Sequence, residues 1–143
     1  MIQPDFLKKG DTVGIVSTAR KISLEEIQPA IDIFKSWGLT VVLSKNLFHT
    51  DNQYSGTDAE RAEDLQTMLD DPSVKAIISA RGGYGTMRII DKINFKQFKK
   101  RPKWIVGYSD ITVLHAHIHN FKIETFQATM PVNFTKNAEA TES

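Results

Sequence analysis

The sequence of 143 residues contains no cysteine. This absence excludes a disulfide framework, a thiolate-bound metal and a cysteine nucleophile. Long apolar runs are also missing, so neither a transmembrane segment nor a membrane partner is predicted. The first ten residues carry no apolar stretch and no small-residue cleavage site, so no secretory signal is predicted there. A cytoplasmic location is therefore the default expectation.

An excess of charge of either sign is absent as well. The chain has 18 lysines and arginines against 17 aspartates and glutamates, a net charge of +1. Nucleic acid is therefore not a predicted partner. The one basic run is interrupted by apolar residues and is interpreted as a solvated loop face. It comprises Lys99, Lys100, Arg101 and Lys103.

Short apolar runs alternate with stretches of helical periodicity. Strands are predicted at residues 12–17, 39–43, 74–80, 104–106 and, as a fifth short strand, 122–126. Ser23 with Glu26 predicts a capping box before the first helix, and Thr57 or Asp58 is predicted to cap the second. The inward-facing stripe of the first helix is predicted to be Ile27, Ala30, Ile31, Phe34 and Trp37. This alternation predicts an α/β fold with a doubly wound, mainly parallel sheet flanked by helices in three layers, as in flavodoxin-like and Rossmann-like folds.

The domain organisation follows from composition. Residues 1–134 are predicted to form one α/β domain, and the small polar residues 135–143 a tail or the start of a linker. Within the domain, residues 44–57 form a polar loop that is long for a compact fold. Loops of that length are often lids or binding loops, which is the expectation here.

Ser109 lies between a predicted strand and a predicted helix. The turn places it at the carboxyl edge of the sheet and at a helix N-terminus, the geometry of a strand–turn–helix nucleophile. Ile111 stands where the usual nucleophile motif has its second glycine. The alternative is that Ser109 or Asp110 only caps the helix.

The glycine-rich segment from Arg81 to Gly85 follows the third strand in the same way. It could cradle a phosphate, supply an oxyanion hole through the amides of Gly82 or Gly83, or form a turn without a ligand. If the third and fourth strands are neighbours, Gly83 and Ser109 face each other at one rim, the minimum for acyl transfer.

A base for the serine is not evident in the sequence. His115 and His119 are spaced for one helix face and could bind a metal, but no third ligand accompanies them and surface positions are favoured. They lie beyond Ser109 on the helix and are predicted to point away from it. His49, in the long loop, remains a candidate for the base.

Several motifs together resemble the LD-carboxypeptidases, the serine peptidase family that includes muramoyltetrapeptide carboxypeptidases and microcin C self-immunity enzymes. They are Lys9-Gly10-Asp11-Thr12-Val13, Tyr54-Ser55-Gly56-Thr57-Asp58 with Arg61, Arg81-Gly82-Gly83-Tyr84-Gly85 with Arg88, and Gly107-Tyr108-Ser109-Asp110-Ile111-Thr112. The resemblance covers essentially the whole chain in the right order. One departure is Gln127-Ala128-Thr129, where family members often have His-Gly-Pro.

The resemblance implies that Ser109 is the nucleophile of a Ser-Glu-His triad. It implies an oxyanion hole shared between the Asp110 amide and a glycine amide of the pair Gly82 and Gly83. In the family the glutamate and histidine come from a C-terminal domain, so this chain alone is expected to be inactive. The candidates for substrate binding are Arg81, Tyr84 and Arg88, with structural surface pairing as the alternative for the arginines.

The implied activity is removal of a terminal D-amino acid from a cytoplasmic murein peptide during cell-wall recycling. No metal or cofactor is expected, and the expected partners are a small murein-like peptide and the C-terminal domain, with homodimerisation left open. The alternatives are an immunity-type amidase that cleaves a peptidyl nucleotide and a module that binds a ligand without cleaving it.

Overall fold

A computed structural model of the chain describes residues 4, 6–18, 21–51, 54–80, 86–107 and 118. Its four strands are β1 (Thr12–Val16), β2 (Thr40–Leu43), β3 (Val74–Ser79) and β4 (Trp104–Val106). They form one parallel sheet in the order β2-β1-β3-β4. The chain thus winds outward from β1 in both directions, which confirms the predicted doubly wound α/β fold.

The helices lie between the strands, as the sequence predicts. They are α1 (Leu24–Ser36), α2 (Asp58–Asp70), α3 (Thr86–Ile89) with a 3₁₀ turn (Ile90–Lys92), and α4 (Lys96–Lys100). The capping box of Ser23 with Glu26 is present before α1, and Thr57 forms a second box with Glu60 before α2. Each box satisfies backbone N–H groups that a helix start leaves without partners.

The sheet separates two apolar cores. Val13 and Ile15 of β1 pack on the face covered by α1, whereas Val16 packs on the opposite face with α2. This alternation follows from the two-residue period of a strand. The predicted stripe of α1 is buried except for Trp37, which is 43% exposed because it is the C-terminal cap of the helix rather than part of it.

Gly14 of β1 lies directly against the side chain of Met68 in α2. A Cβ atom at this position would lie 2.5 Å from Sδ of Met68. The absence of a side chain therefore lets the helix pack directly against β1.

Lys103 corrects the interpretation of the basic run. It is buried, and its Nζ donates hydrogen bonds to the carbonyl oxygens of Met68 and Asp71, each at 2.7 Å. These carbonyls lie at the C-terminus of α2, where the helix dipole favours a cation. Lys103 is thus a structural contact between α2 and the start of β4, not a solvated side chain.

Several sequence predictions lie outside the described residues. These are the fifth strand at 122–126 and the polar tail at 135–143. Of the helix predicted from Ile111 onward, only Ile118 is described, and it is helical and buried in the core beside α2. No helix in the described part of the chain is long and apolar enough to cross a membrane.

Candidate active site

The carboxyl ends of three neighbouring strands define the candidate site. β3 lies between β1 and β4, and Ile78 of β3 is in register with Ile15 of β1 and Val106 of β4. Parallel strands direct the segments that follow them to the same edge of the sheet. The condition that the sequence left open, that the third and fourth strands are neighbours, is therefore met.

Most of the predicted site residues lie outside the described residues. These are Ser109, Asp110, Arg81, Gly82, Gly83 and Tyr84, so the structure gives no geometry for them. The residues that flank them are placed. Ala80 follows β3, and Gly107 follows β4 with a φ of 153°, a conformation that side chains rarely adopt.

Among the described residues, Arg61 of α2 is the most buried charged residue beside this edge. It is 1% exposed, and its guanidinium contacts three segments of the chain. Nε donates to the carbonyl of Thr18 at 3.0 Å, one Nη to the carbonyl of Gly56 at 2.8 Å, and the other Nη to Oδ1 of Asp58 at 2.5 Å. Such a buried charge is tolerated because a carboxylate and two carbonyls compensate for it.

Arg88, the one described candidate for substrate binding, extends this cluster. Its Nε donates to Oδ2 of Asp58 at 3.2 Å, and its side chain is 54% exposed. The guanidinium groups of Arg61 and Arg88 lie 4.6 Å and 4.9 Å from the ring centre of Tyr54, within the range of cation–π attraction. The ion pair with Asp58 fixes the side-chain direction of Arg88 and leaves it at the protein surface.

The carboxylate of Asp58 links the two arginines. Partial burial raises the pKa of this group, but the hydrogen bond and charge of Arg61 and the charge of Arg88 outweigh that effect. The pKa of Asp58 therefore lies below its usual value, and the group remains ionised at neutral pH. The sequence motif containing Tyr54, Asp58 and Arg61 indicated the family but no cluster, and the contact of Arg61 with Thr18 was not evident from it.

Thr18 and Thr86 form a second connection at the same edge. Their hydroxyl oxygens are 2.6 Å apart, and both side chains are buried. Thr18 follows β1, and Thr86 is the first residue of α3, so the bond joins elements that are 68 positions apart in the sequence. In the sequence, residues 81–85 connect Ala80, which follows β3, to Thr86.

The described part of the 44–57 loop is fixed to α2. Both carboxylate oxygens of Asp64 accept from the backbone N–H of Asn46 at 3.1 Å, and Nδ1 of His49 lies 2.6 Å from Oε2 of Glu60. The pKa of Glu60 is lowered by the backbone N–H of Thr57 and by His49. These contacts hold the described part of the loop against α2, and they engage His49 with a residue of the α2 capping box.

The described residues contain no group of three or more histidines or acidic residues that could hold a metal ion. His115, His117 and His119 lie outside the described part of the chain. A cavity of about 810 Å³ is lined by Asp11, Val74 and Lys103, which lie at the amino ends of β1, β3 and β4. It is thus at the edge opposite the candidate site, and α/β sheets bind their ligands at the carboxyl edge.

Known proteins resemble this chain along most of its length. Residues 13–128 match the model of the LD-carboxypeptidase N-terminal domain. A probable murein peptide carboxypeptidase of Bacillus subtilis is 41% identical over 129 residues, which cover 90% of this chain and 40% of that protein. The microcin C7 self-immunity protein MccF of Escherichia coli is 28% identical over 116 residues, 79% of this chain and 34% of that protein.

Solved structures agree with these matches. The structure of MccF in complex with glutamyl sulfamoyl guanosine superimposes with a TM-score of 0.84 at 26% identity, covering 92% of this chain and 40% of that one. The chain thus spans less than half the length of these relatives. Since the family model matches most of its residues, the chain belongs to the LD-carboxypeptidase family and corresponds to its N-terminal domain.

Proposed function

We propose that this chain is the nucleophile-bearing domain of a serine LD-carboxypeptidase that removes a terminal D-amino acid from cytoplasmic murein peptides. The observation that carries the proposal is the family match over residues 13–128, which includes both Ser109 and the glycine pair. The adjacency of β3 and β4 supports it, because the segments that follow these strands contain the two groups.

In the proposed reaction, Oγ of Ser109 attacks the carbonyl carbon of the terminal L,D-peptide bond. Its proton passes to a histidine, and the carbonyl oxygen becomes an oxyanion that accepts from the amides of Asp110 and of Gly82 or Gly83. Collapse of this intermediate breaks the C–N bond, and the histidine protonates the departing D-amino acid. Water then hydrolyses the acyl-enzyme and restores Ser109.

The histidine and its orienting glutamate are proposed to lie in a second domain. The chain covers 40% of the length of the Bacillus subtilis relative, which leaves room for such a domain in proteins of this family. In the described residues, His49 is held by Glu60 beside α2. We therefore expect the 143 residues alone to lack peptidase activity, and the full-length protein to have it.

Arg88 is the proposed partner of the substrate's terminal carboxylate, together with Arg81 and Tyr84. Its guanidinium is half exposed and is oriented by Asp58 and Tyr54. A guanidinium held in this way can present its remaining donors to a carboxylate without losing side-chain freedom on binding.

The experiment that tests the proposed reaction uses the full-length protein with a murein tetrapeptide and with the same peptide ending in an L-amino acid. We expect release of the terminal residue only from the L,D-peptide. Equal hydrolysis of both peptides, or of neither, would contradict the proposed specificity.

An immunity-type amidase is the second candidate, because MccF, which is solved with glutamyl sulfamoyl guanosine, shares the fold of this chain. Hydrolysis of an aminoacyl sulfamoyl nucleotide, with no turnover of the murein peptide, would favour that function. Saturable binding of either compound without hydrolysis would instead indicate a binding module.

A further inference from the structure

We propose that Arg61 and the hydrogen-bonded pair of Thr18 and Thr86 act as positioning residues that hold Thr86, the residue directly after the segment 81–85, against the end of β1. The inference rests on the proposed function in one respect, since that function assigns the oxyanion amides to this segment. Its structural basis lies entirely in described residues on either side of the segment.

Both flanking residues are bonded to the end of β1. On one side, the backbone N–H of Ala80 donates to the carbonyl of Val16 at 2.8 Å. On the other side, Oγ1 of Thr86 lies 2.6 Å from Oγ1 of Thr18. Ala80 and Thr86, the described residues on either side of the segment 81–85, are therefore both held at the end of β1.

Arg61 in turn fixes the end of β1. Its Nε donates to the carbonyl of Thr18 at 3.0 Å, while its other nitrogens are held by Gly56 and Asp58. A guanidinium is planar and presents its donors in a rigid fork, so these contacts set the position of Thr18. The fork is 1% exposed, and water does not compete for it.

This arrangement is expected to affect the step in which the oxyanion forms. Oxyanion donors stabilise charge that develops in the transition state, and small displacements of such donors reduce the rate strongly. Loss of the Thr18–Thr86 bond should therefore lower kcat more than it raises KM. Because partial unfolding also lowers the apparent kcat at unchanged KM, kcat is expressed per mole of folded protein.

The first test compares Thr86→Val, which removes the hydroxyl, with Thr86→Ser, which retains it, in the full-length protein. Thr67→Val is the control, because Thr67 is an exposed threonine of α2. For Thr86→Val we expect kcat to fall by about tenfold to a hundredfold with KM within about twofold. Thr86→Ser should keep at least about half of kcat, and Thr67→Val should match the wild type.

Hydrogen exchange provides a readout that does not depend on the reaction. In Thr86→Val, amides of residues 86–92 should exchange about fivefold faster or more, while amides of α2 stay within about twofold of the wild type. Thr86→Ser should leave both regions unchanged. If Thr86→Val does not fold, Arg61→Lys replaces it, with the exposed Arg101→Lys as its control, and the same increase is expected.

Equal exchange at residues 86–92 in Thr86→Val and Thr86→Ser would overturn the positioning role, whatever the activity. A parallel increase in α2 would also overturn it, since it would indicate global destabilisation. If the wild type does not hydrolyse the murein peptide, the proposed function fails, and the exchange experiment still decides whether the bond fixes the start of α3.

Discussion

Gly107 is the residue at which β4 ends and the segment containing Ser109 begins. Its φ of 153° is rarely adopted by residues with a side chain. Gly10, in the turn before β1, also has a positive φ, and a Cβ added there would contact nothing within 4 Å. Both glycines therefore occupy positions whose backbone conformation disfavours a residue with a side chain.

Replacing either glycine by alanine should destabilise the fold through backbone strain. We expect Gly107→Ala and Gly10→Ala each to lower the free energy of unfolding by about 1–2 kcal/mol. Only Gly107→Ala should also reduce turnover of the murein peptide, because it lies beside the proposed nucleophile. Urea unfolding and steady-state kinetics measure the two effects, and wild-type stability in Gly107→Ala would contradict the backbone requirement.

Lys103 gives the stability of the fold a dependence on pH. Burial lowers the pKa of Lys103 from 10.5 to about 8, against the opposing charge of Asp71. Between these values the unfolded chain retains a proton that the folded chain has lost. The free energy of unfolding should therefore rise with pH through this range. Below about pH 8, Lys103 is charged in both the folded and the unfolded chain, so the full free-energy cost of burying the charge lowers the stability of the fold.

The variant Lys103→Met isolates this contribution. The difference in unfolding free energy, wild type minus Lys103→Met, should increase from about pH 8 to about pH 10. Lys100→Met, at an exposed position of α4, is the control for the removal of a lysine. A difference that stays constant or decreases over this range would show that Lys103 retains its proton in the folded state.

At the level of elements, the start of α2 connects the long loop to the candidate site. Oγ1 of Thr57 accepts from the backbone N–H of Glu60 at 3.1 Å, and Oε1 of Glu60 accepts from the backbone N–H of Thr57 at 2.9 Å. The same helix turn carries Asp58 and Arg61. The capping box thus sets the position from which these side chains reach the sheet edge.

The variant Thr57→Ala should lower the free energy of unfolding by about 1 kcal/mol, the usual effect of losing a helix cap. Thr67→Ala is the matched control within α2, and it should be neutral or slightly stabilising because alanine favours the helix interior. Thermal unfolding of both variants measures the difference. Equal stability of the two would indicate that the cap of α2 contributes nothing.

The elements of this fold were predictable because local chemistry specifies them. Runs of β-branched residues predict the strands, and the spacing of Ser23 and Glu26 predicts the first capping box. α3 ends already at Ile89, and a 3₁₀ turn (Ile90–Lys92) follows it directly. Only packing against the neighbouring elements decides such a boundary.

At the scale of the whole molecule, contacts between distant residues were the part that the sequence did not reveal. Arg61 and Asp64 lie on the buried side of α2, where a helical pattern predicts apolar residues. Their partners, Thr18 and Asn46, are 43 and 18 positions away. Buried polar residues of this kind are explained only by the carbonyls and amides that the fold brings to them.

The location of the candidate site in the fold could be predicted from the sequence, whereas the distances and contacts around it could not. The sequence analysis required β3 and β4 to be neighbours but could not show it. The parallel pairing of β3 with β1 on one side and β4 on the other meets this condition. The motif containing Ser109 and the motif containing the glycine pair predicted the family. The family model, which matches residues 13–128, confirms it. The role of Ser109 as the nucleophile remains the central proposal.

The measurement that tests this proposal most directly is turnover of a murein tetrapeptide by the full-length protein and its Ser109→Ala variant. Ser36→Ala is the matched control, because Ser36 is an exposed serine at the end of α1. We expect Ser109→Ala to lose at least about a thousandfold in kcat while it still binds the peptide, and Ser36→Ala to equal the wild type. Turnover by Ser109→Ala at the wild-type rate would show that another group is the nucleophile.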